Sequence, residues 1–455
     1  MTTADFRIDR RVLADVHAQE TRRFIDTHPR SVALAAEDAA HYLFGVPLHW
    51  MRDWPTPAAL HVLRAQGNRL WCADGHEYLD FCLGDTGAMF GHSPAPVARA
   101  IAGQAMHGLT AMLPSTLTAE VGRRLADCFR LPRWQVTLSA SDANRFVLRW
   151  ARAVTGRRKV LVFDGCYHGT VDDTLVDMDA QRHTITRASL LGQVHDLSLG
   201  TVVVPFNDIA AVERALAQGD VACVLTEPAL TNCGLVPPRP GLLAELQEAC
   251  RRHGVLFVLD ETHTVSSGWG GHARVESLSP DFIVVGKAVA GGLPCAVYGF
   301  TEAMNARMEA AKRAAPDGHS GIGTTLSANL LAMAALHAQL GEVMTPSAYD
   351  EMLGAAAAFE SRLRGVLVQH GAPWSVTRLG ARMELQFCAE PPVDAAQARA
   401  AMDEAVERAL HLWLLNRGIV ITPFHNMLLV SPQTCADDAQ PLAAAVDEFI
   451  TAVRA

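Results

Sequence analysis

The run VLFVLDETHTVSSGWGG, residues 255–271, carries an apolar strand straight into two acids, Asp260 and Glu261. In open α/β sheets ligands bind outside the carboxyl ends of the strands, so an acid placed there marks a candidate site. Downstream, DFIVVGKAVAGGLP sets Lys287 at the end of a second apolar strand, in a glycine-rich turn. Burying such a lysine is costly unless it is neutralised or used covalently. An acid on one strand end and a lysine on another is the pairing that pyridoxal 5'-phosphate chemistry requires. The amine forms a Schiff base with the cofactor aldehyde, while the carboxylate keeps the pyridine nitrogen protonated so that the ring accepts electrons. The plainer reading is an ion pair between Lys287 and Asp260, which would be a weak source of stability.

The phosphate of such a cofactor needs anion donors. VTLSASDANRFVLRWARAVTG offers them, because apolar residues at helical spacing from Ala143 onward predict a helix opening near Ser139 to Asp142. Free N–H groups there, with the Ser141 hydroxyl, make a phosphate cradle; the same residues also read as an ordinary N-cap. GCYHGT puts Tyr167 at a strand end, where its ring can stack on a cofactor, and LTEP puts Glu227 at another. His253, His263 and His272 lie close in sequence, but no HExxH or His/Cys spacing supports a metal, and none is expected.

These residues need a scaffold of strand ends. From about residue 71 to 330, apolar strands (QVTLSA, KVLVFDG, TVVVPF, ACVLTEP, VLFVLDE, FIVVGKA) alternate with helical patterns such as LLAELQEACRRHG. That alternation predicts an α/β fold, a largely parallel sheet flanked by helices. Residues 1–70 read as an N-terminal helical arm and a segment of a smaller domain. Residues 331–455 read as a small α+β domain, with the strand MELQF, a helix near 398–417 and a short strand pair around IVITPFHNMLLVS. A composition of 49% hydrophobic and 19% charged residues suits a large folded core, and the net charge of -9 argues against nucleic-acid binding. No apolar run is long enough to cross a bilayer, and the charged N-terminus lacks a signal core. The ten cysteines are scattered without a CxxC pair, as in a reducing cytoplasm.

From about residue 65 onward the chain resembles the class III, fold-type I pyridoxal phosphate aminotransferases, and within them the branch near glutamate-semialdehyde aminomutase and β-amino acid aminotransferases. GKAVAGGLP carries the resemblance most specifically. It implies Lys287 as the Schiff-base lysine, Asp260 as partner of the pyridine nitrogen, Tyr167 as the stacking aromatic, Ala140 and Ser141 as the phosphate turn, and Glu227 near the ring hydroxyl. GTTLSANLLAMAA further implies that Thr325 binds the phosphate of a neighbouring subunit, hence a homodimer with shared sites.

The departures fall on the substrate side. SASDA replaces the usual SGTEA, and Thr262 replaces the aliphatic residue that packs on the ring face opposite the tyrosine. Arg382 stands where relatives near the aminomutase tend to carry methionine, and His425 lies in a region that often borders the substrate. Arg145, Arg382 and His425 are therefore candidate substrate contacts, and Arg382 would suit a carboxylate or a phosphonate. The expected reaction is aminotransfer between an amino acid or amine and an oxo acid. The same cofactor site would also serve an aminomutase, ammonia-lyase or racemase/epimerase acting on an amino acid or aminophosphonate.

Overall fold

The computed structural model describes residues 6–454. At its centre is a seven-stranded sheet in the order Arg133–Thr137, Ala296–Phe300, Phe282–Val285, Leu256–Asp260, Val221–Thr226, Lys159–Phe163, Thr201–Val204. Only Ala296–Phe300 runs antiparallel to its neighbours; the pairings from Phe282–Val285 through Thr201–Val204 are parallel. Strands of a parallel sheet are covered on both faces, which is why they are written as unbroken apolar runs. Every residue of Val221–Thr226, Leu256–Asp260 and Phe282–Val285 is buried.

The covering helices are amphipathic. Ala140–Thr155 opens on an N-cap in which Ser139 Oγ accepts from the Asp142 amide at 3.1 Å. Leu242–His253 stops at Gly254, whose φ of 61° is the left-handed conformation that glycine takes without strain.

A second core joins Leu13 of the helix Arg10–Thr27 to the helices Pro346–His370 and Ala439–Val453. Against it lies an antiparallel sheet of Ser375–Leu379, Arg382–Gln386 and Met427–Leu429. Met383 and Leu385 enter that core. Their neighbours Arg382, Glu384 and Gln386 point the other way, as strand alternation requires, and are buried nonetheless.

Two expectations need correction. The strands near the C-terminus do not pair with each other: Ile419–Val420 joins Glu77–Asp80 in a four-stranded sheet, while Met427–Leu429 pairs with Arg382–Gln386. The helix expected near 398–417 is two helices, Ala395–Ala400 and Glu404–Leu415, because Asp403 caps a fresh start by accepting from the Val406 amide. Among the described residues no helix is long and apolar enough to cross a membrane. The cysteines are unpaired, and all but Cys388 and Cys435 are buried.

Candidate active site

Strand ends converge on a cavity of about 1030 Å³. Ser139, Ala140, Ser141, Tyr167, Glu227, Asp260, Thr262 and Lys287 all line it. Asp260 is 4% exposed. Its Oδ2 accepts from Asn144 Nδ2 at 2.8 Å and lies 2.9 Å from His168 Nδ1, while Oδ1 accepts from the Thr262 amide at 3.1 Å. Burial alone would raise this carboxyl; the hydrogen bonds from His168 and Asn144 outweigh it and hold Asp260 below the usual carboxylate range. A buried carboxylate, ionised at neutral pH, thus faces the cavity.

The second acid of the opening run has a different task. Glu261 accepts from the His272 amide at 3.0 Å, the Ala273 amide at 2.6 Å and Thr264 Oγ1 at 2.5 Å. It caps the short helix Gly271–Val275 and does not line the cavity. Glu227 receives the Tyr167 amide at 3.2 Å and the Thr231 hydroxyl. Burial pushes it up to about 7.

The helix start forms a tight cradle. Gly169 has a φ of 83°, and a Cβ there would sit 2.1 Å from Ser141 Oγ; at Gly286 it would sit 2.8 Å from the Ala140 Cβ. Lacking side chains, the two glycines let their loops close onto Ala140 and Ser141 at the N-terminus of Ala140–Thr155, where free amides favour an anion.

Lys287 adopts a φ of 50°, unusual for a non-glycine residue. Its Nζ lies 2.6 Å from Asp85 Oδ2 and 2.8 Å from His263 Nε2, and the ion pair expected with Asp260 as the plainer alternative is made with Asp85 instead. Asp85 sits in a strained turn in which Leu83, Gly84, Asp85 and Thr86 have φ of 47, 58, 49 and 82°. Its side chain is 41% accessible, facing the cavity. Burial would raise its carboxyl, but the neighbouring Lys287 and the Arg382 charge outweigh that and hold it well below the usual carboxylate range. Sequence reasoning passed over Asp85 entirely and read His263 only as a rejected metal ligand.

The proposed substrate residues sit elsewhere. Arg145 does not line the cavity; Asp142, three residues earlier on the helix, takes its guanidinium at 2.5 Å on an exposed face. Arg382 is 1% exposed and also absent from the cavity wall, because the His263 ring separates it from Lys287. His425 is buried 3.2 Å from Glu384, behind the wall. Thr325 lies on an exposed segment away from this cavity. The mouth is apolar, with Pro47, Trp50, Trp54 and Leu60 opposite Phe424, whose ring meets Trp50 edge-on at 5.7 Å.

Known proteins resemble the chain over nearly all of its length. The class III aminotransferase profile matches residues 51–453. A glutamate-1-semialdehyde 2,1-aminomutase from Anaeromyxobacter sp. (strain Fw109-5) is 32% identical over 403 residues, covering 86% of this chain and 91% of the relative. A glutamate-1-semialdehyde-aminomutase from Pseudomonas aeruginosa PAO1 superposes with a TM-score of 0.95 at 45% identity, covering 98% of this chain and 99% of that one; a variant of it is solved in complex with PMP. A β-phenylalanine aminotransferase from Variovorax paradoxus has a TM-score of 0.86 at 26% identity, covering 96% and 97% of the two chains.

Proposed function

The chain belongs to the class III aminotransferase family, and from that premise we propose that it is an aminomutase, moving an amino group between adjacent carbons of one small amino acid. Its fold is that of the fold-type I enzymes, and its cofactor is pyridoxal 5'-phosphate. The residues fit that group. Asp260 offers a buried carboxylate, Lys287 an amine, Tyr167 a ring, and the helix start a cradle that a Cβ at Gly169 would fill. When bound, the cofactor draws electrons from the substrate carbon that bears nitrogen. Asp260, fixed by Asn144 and His168, holds a negative charge where a ring nitrogen needs one. Lys287 Nζ takes a proton from one substrate carbon and returns it to the next. The cradle orients the phosphate, and the apolar mouth excludes water.

The observation that carries the mutase reading is the 45% identity over 98% of the chain to an aminomutase. The aminotransferase reading rests on the family's name and on the more distant β-phenylalanine aminotransferase. One experiment separates them. The purified enzyme, converted to its amino form, is given glutamate 1-semialdehyde, first without and then with a separate amino donor. A mutase yields the amino-shifted isomer catalytically with no donor; an aminotransferase passes on its one amino equivalent and then waits for a donor. Sustained ammonia release would favour a lyase instead.

Solvent-exposed Met106, Met112 and Leu113, with relative exposures of 83%, 77% and 71%, support a homodimer that covers them, with Thr325 reaching the partner's phosphate. Sedimentation of the enzyme reads the dimer directly. The free, mostly buried thiols support a cytoplasmic setting.

A further inference from the structure

Behind Lys287 runs a hydrogen-bond chain whose direction is fixed from its far end. A guanidinium can only donate, so His263 Nδ1, 2.7 Å from Arg382 Nη2, must accept. Thr86 Oγ1 accepts from the same Nη2 and lies 2.9 Å from Nδ1, so its hydroxyl hydrogen also turns toward that nitrogen. Asp85 Oδ1 is 3.8 Å from Nδ1, too far to draw a proton there. A neutral imidazole whose Nδ1 accepts carries its hydrogen on Nε2. Burial, then the nearness of Lys287 and Arg382, keep His263 well below the usual imidazole range, hence neutral. The Nε2–H therefore aims at Lys287 Nζ, 2.8 Å away, and can donate only to the unprotonated nitrogen with its lone pair free, whereas Asp85 Oδ2, at 2.6 Å, accepts from the protonated one.

We propose that His263, its tautomer locked by Arg382 and Thr86, is a positioning residue that donates to Lys287 Nζ and, in opposition to Asp85, sets how readily that nitrogen keeps a proton. This rests on the reading of Lys287 as the lysine that links to the cofactor. The charged and titratable groups that face His263 are Lys287, Asp85, Arg382 and Asp260. Asp85 favours the protonated nitrogen. The His263 donor and the buried Arg382 charge favour the bare one, the form able to accept a proton from substrate. Arg382 thereby acts on chemistry it does not touch, and its Nε and Nη1 have no partner of their own.

The test is a spectrophotometric pH titration of the visible band of the resting holoenzyme, whose midpoint reports the proton on Nζ. His263→Met should raise the midpoint by about one pH unit, the scale of one hydrogen bond to the neutral form. Arg382→Met should raise it as well, and Asp85→Asn should lower it. His263→Gln is the discriminating variant. Arg382 would hold the amide oxygen and turn the NH2 toward Nζ, so the wild-type midpoint should return although glutamine does not titrate. An unchanged midpoint in His263→Met, or a His263→Gln midpoint equal to that of His263→Met, overturns the proposal. A wild-type enzyme with no lysine-dependent band would instead overturn the cofactor reading itself, so the two failures are distinct.

Discussion

The floor and the mouth of the cavity are built by opposite means. The floor is one sheet: Asp260, Glu227, Tyr167 and Lys287 each follow a neighbouring strand, so the sheet's register sets their spacing. The mouth sets Trp50 and Leu60, from near one end of the chain, against Phe424, from near the other, held by loops and side-chain packing. On the proposed function, cofactor chemistry rests on rigid backbone, whereas substrate choice rests on contacts that can be exchanged without disturbing it. That division holds if damage to the floor abolishes the reaction while damage to the mouth only retunes it.

The largest effect should come from Lys287→Ala, which removes the visible band of the lysine-linked cofactor and lowers kcat by at least about a thousandfold. Retention of the band would break the assignment of the floor. Asp260→Asn keeps the shape but loses the charge, and should lower kcat on the order of a hundredfold with the fold intact by circular dichroism. At the mouth, Trp50→Ala should raise KM by about tenfold and leave kcat nearly alone, the pattern of lost uniform binding. A collapse of kcat there would erase the contrast between the two regions.

The smallest effect is on stability. Glu227, raised from 4.5 to about 7 by burial, binds its proton more tightly folded than unfolded. Its contribution is intact below about 4.5 and is lost as pH rises through about 7. Melting temperature should fall across that window, and Glu227→Gln should flatten the fall.

The sequence exposed the floor because each of its groups terminates an apolar run, and apolar runs mark strands. The same logic found the helix start at Ala140. It misjudged Arg382 for a physical reason. Alternation along Arg382–Gln386 tells which side of the strand the guanidinium leaves, but not that His263, from another element, would stand before it. Asp85 was invisible because no local pattern marks it; a turn at residues 83–86 places it, and only the assembled fold shows what it faces. Ile419–Val420 and Met427–Leu429 looked like a hairpin because proximity in sequence is the default pairing, yet each completes a different sheet.

That turn has a consequence for anyone engineering the enzyme. Leu83, Asp85 and Thr86 hold left-handed backbone that costs side-chain-bearing residues roughly 1–2 kcal/mol each. Glycine would relieve it, but Leu83 is buried in the main core and its loss would cost more than the relief, so a selection for heat tolerance alone would favour the replacement where least packing is lost, at the half-exposed Asp85. At Asp85 and Thr86 the same replacement strips away a side chain that attends Lys287 or Arg382. Thermal robustness and turnover are thus set against each other at a few adjacent codons, and a library that varies them should trace the trade between the two.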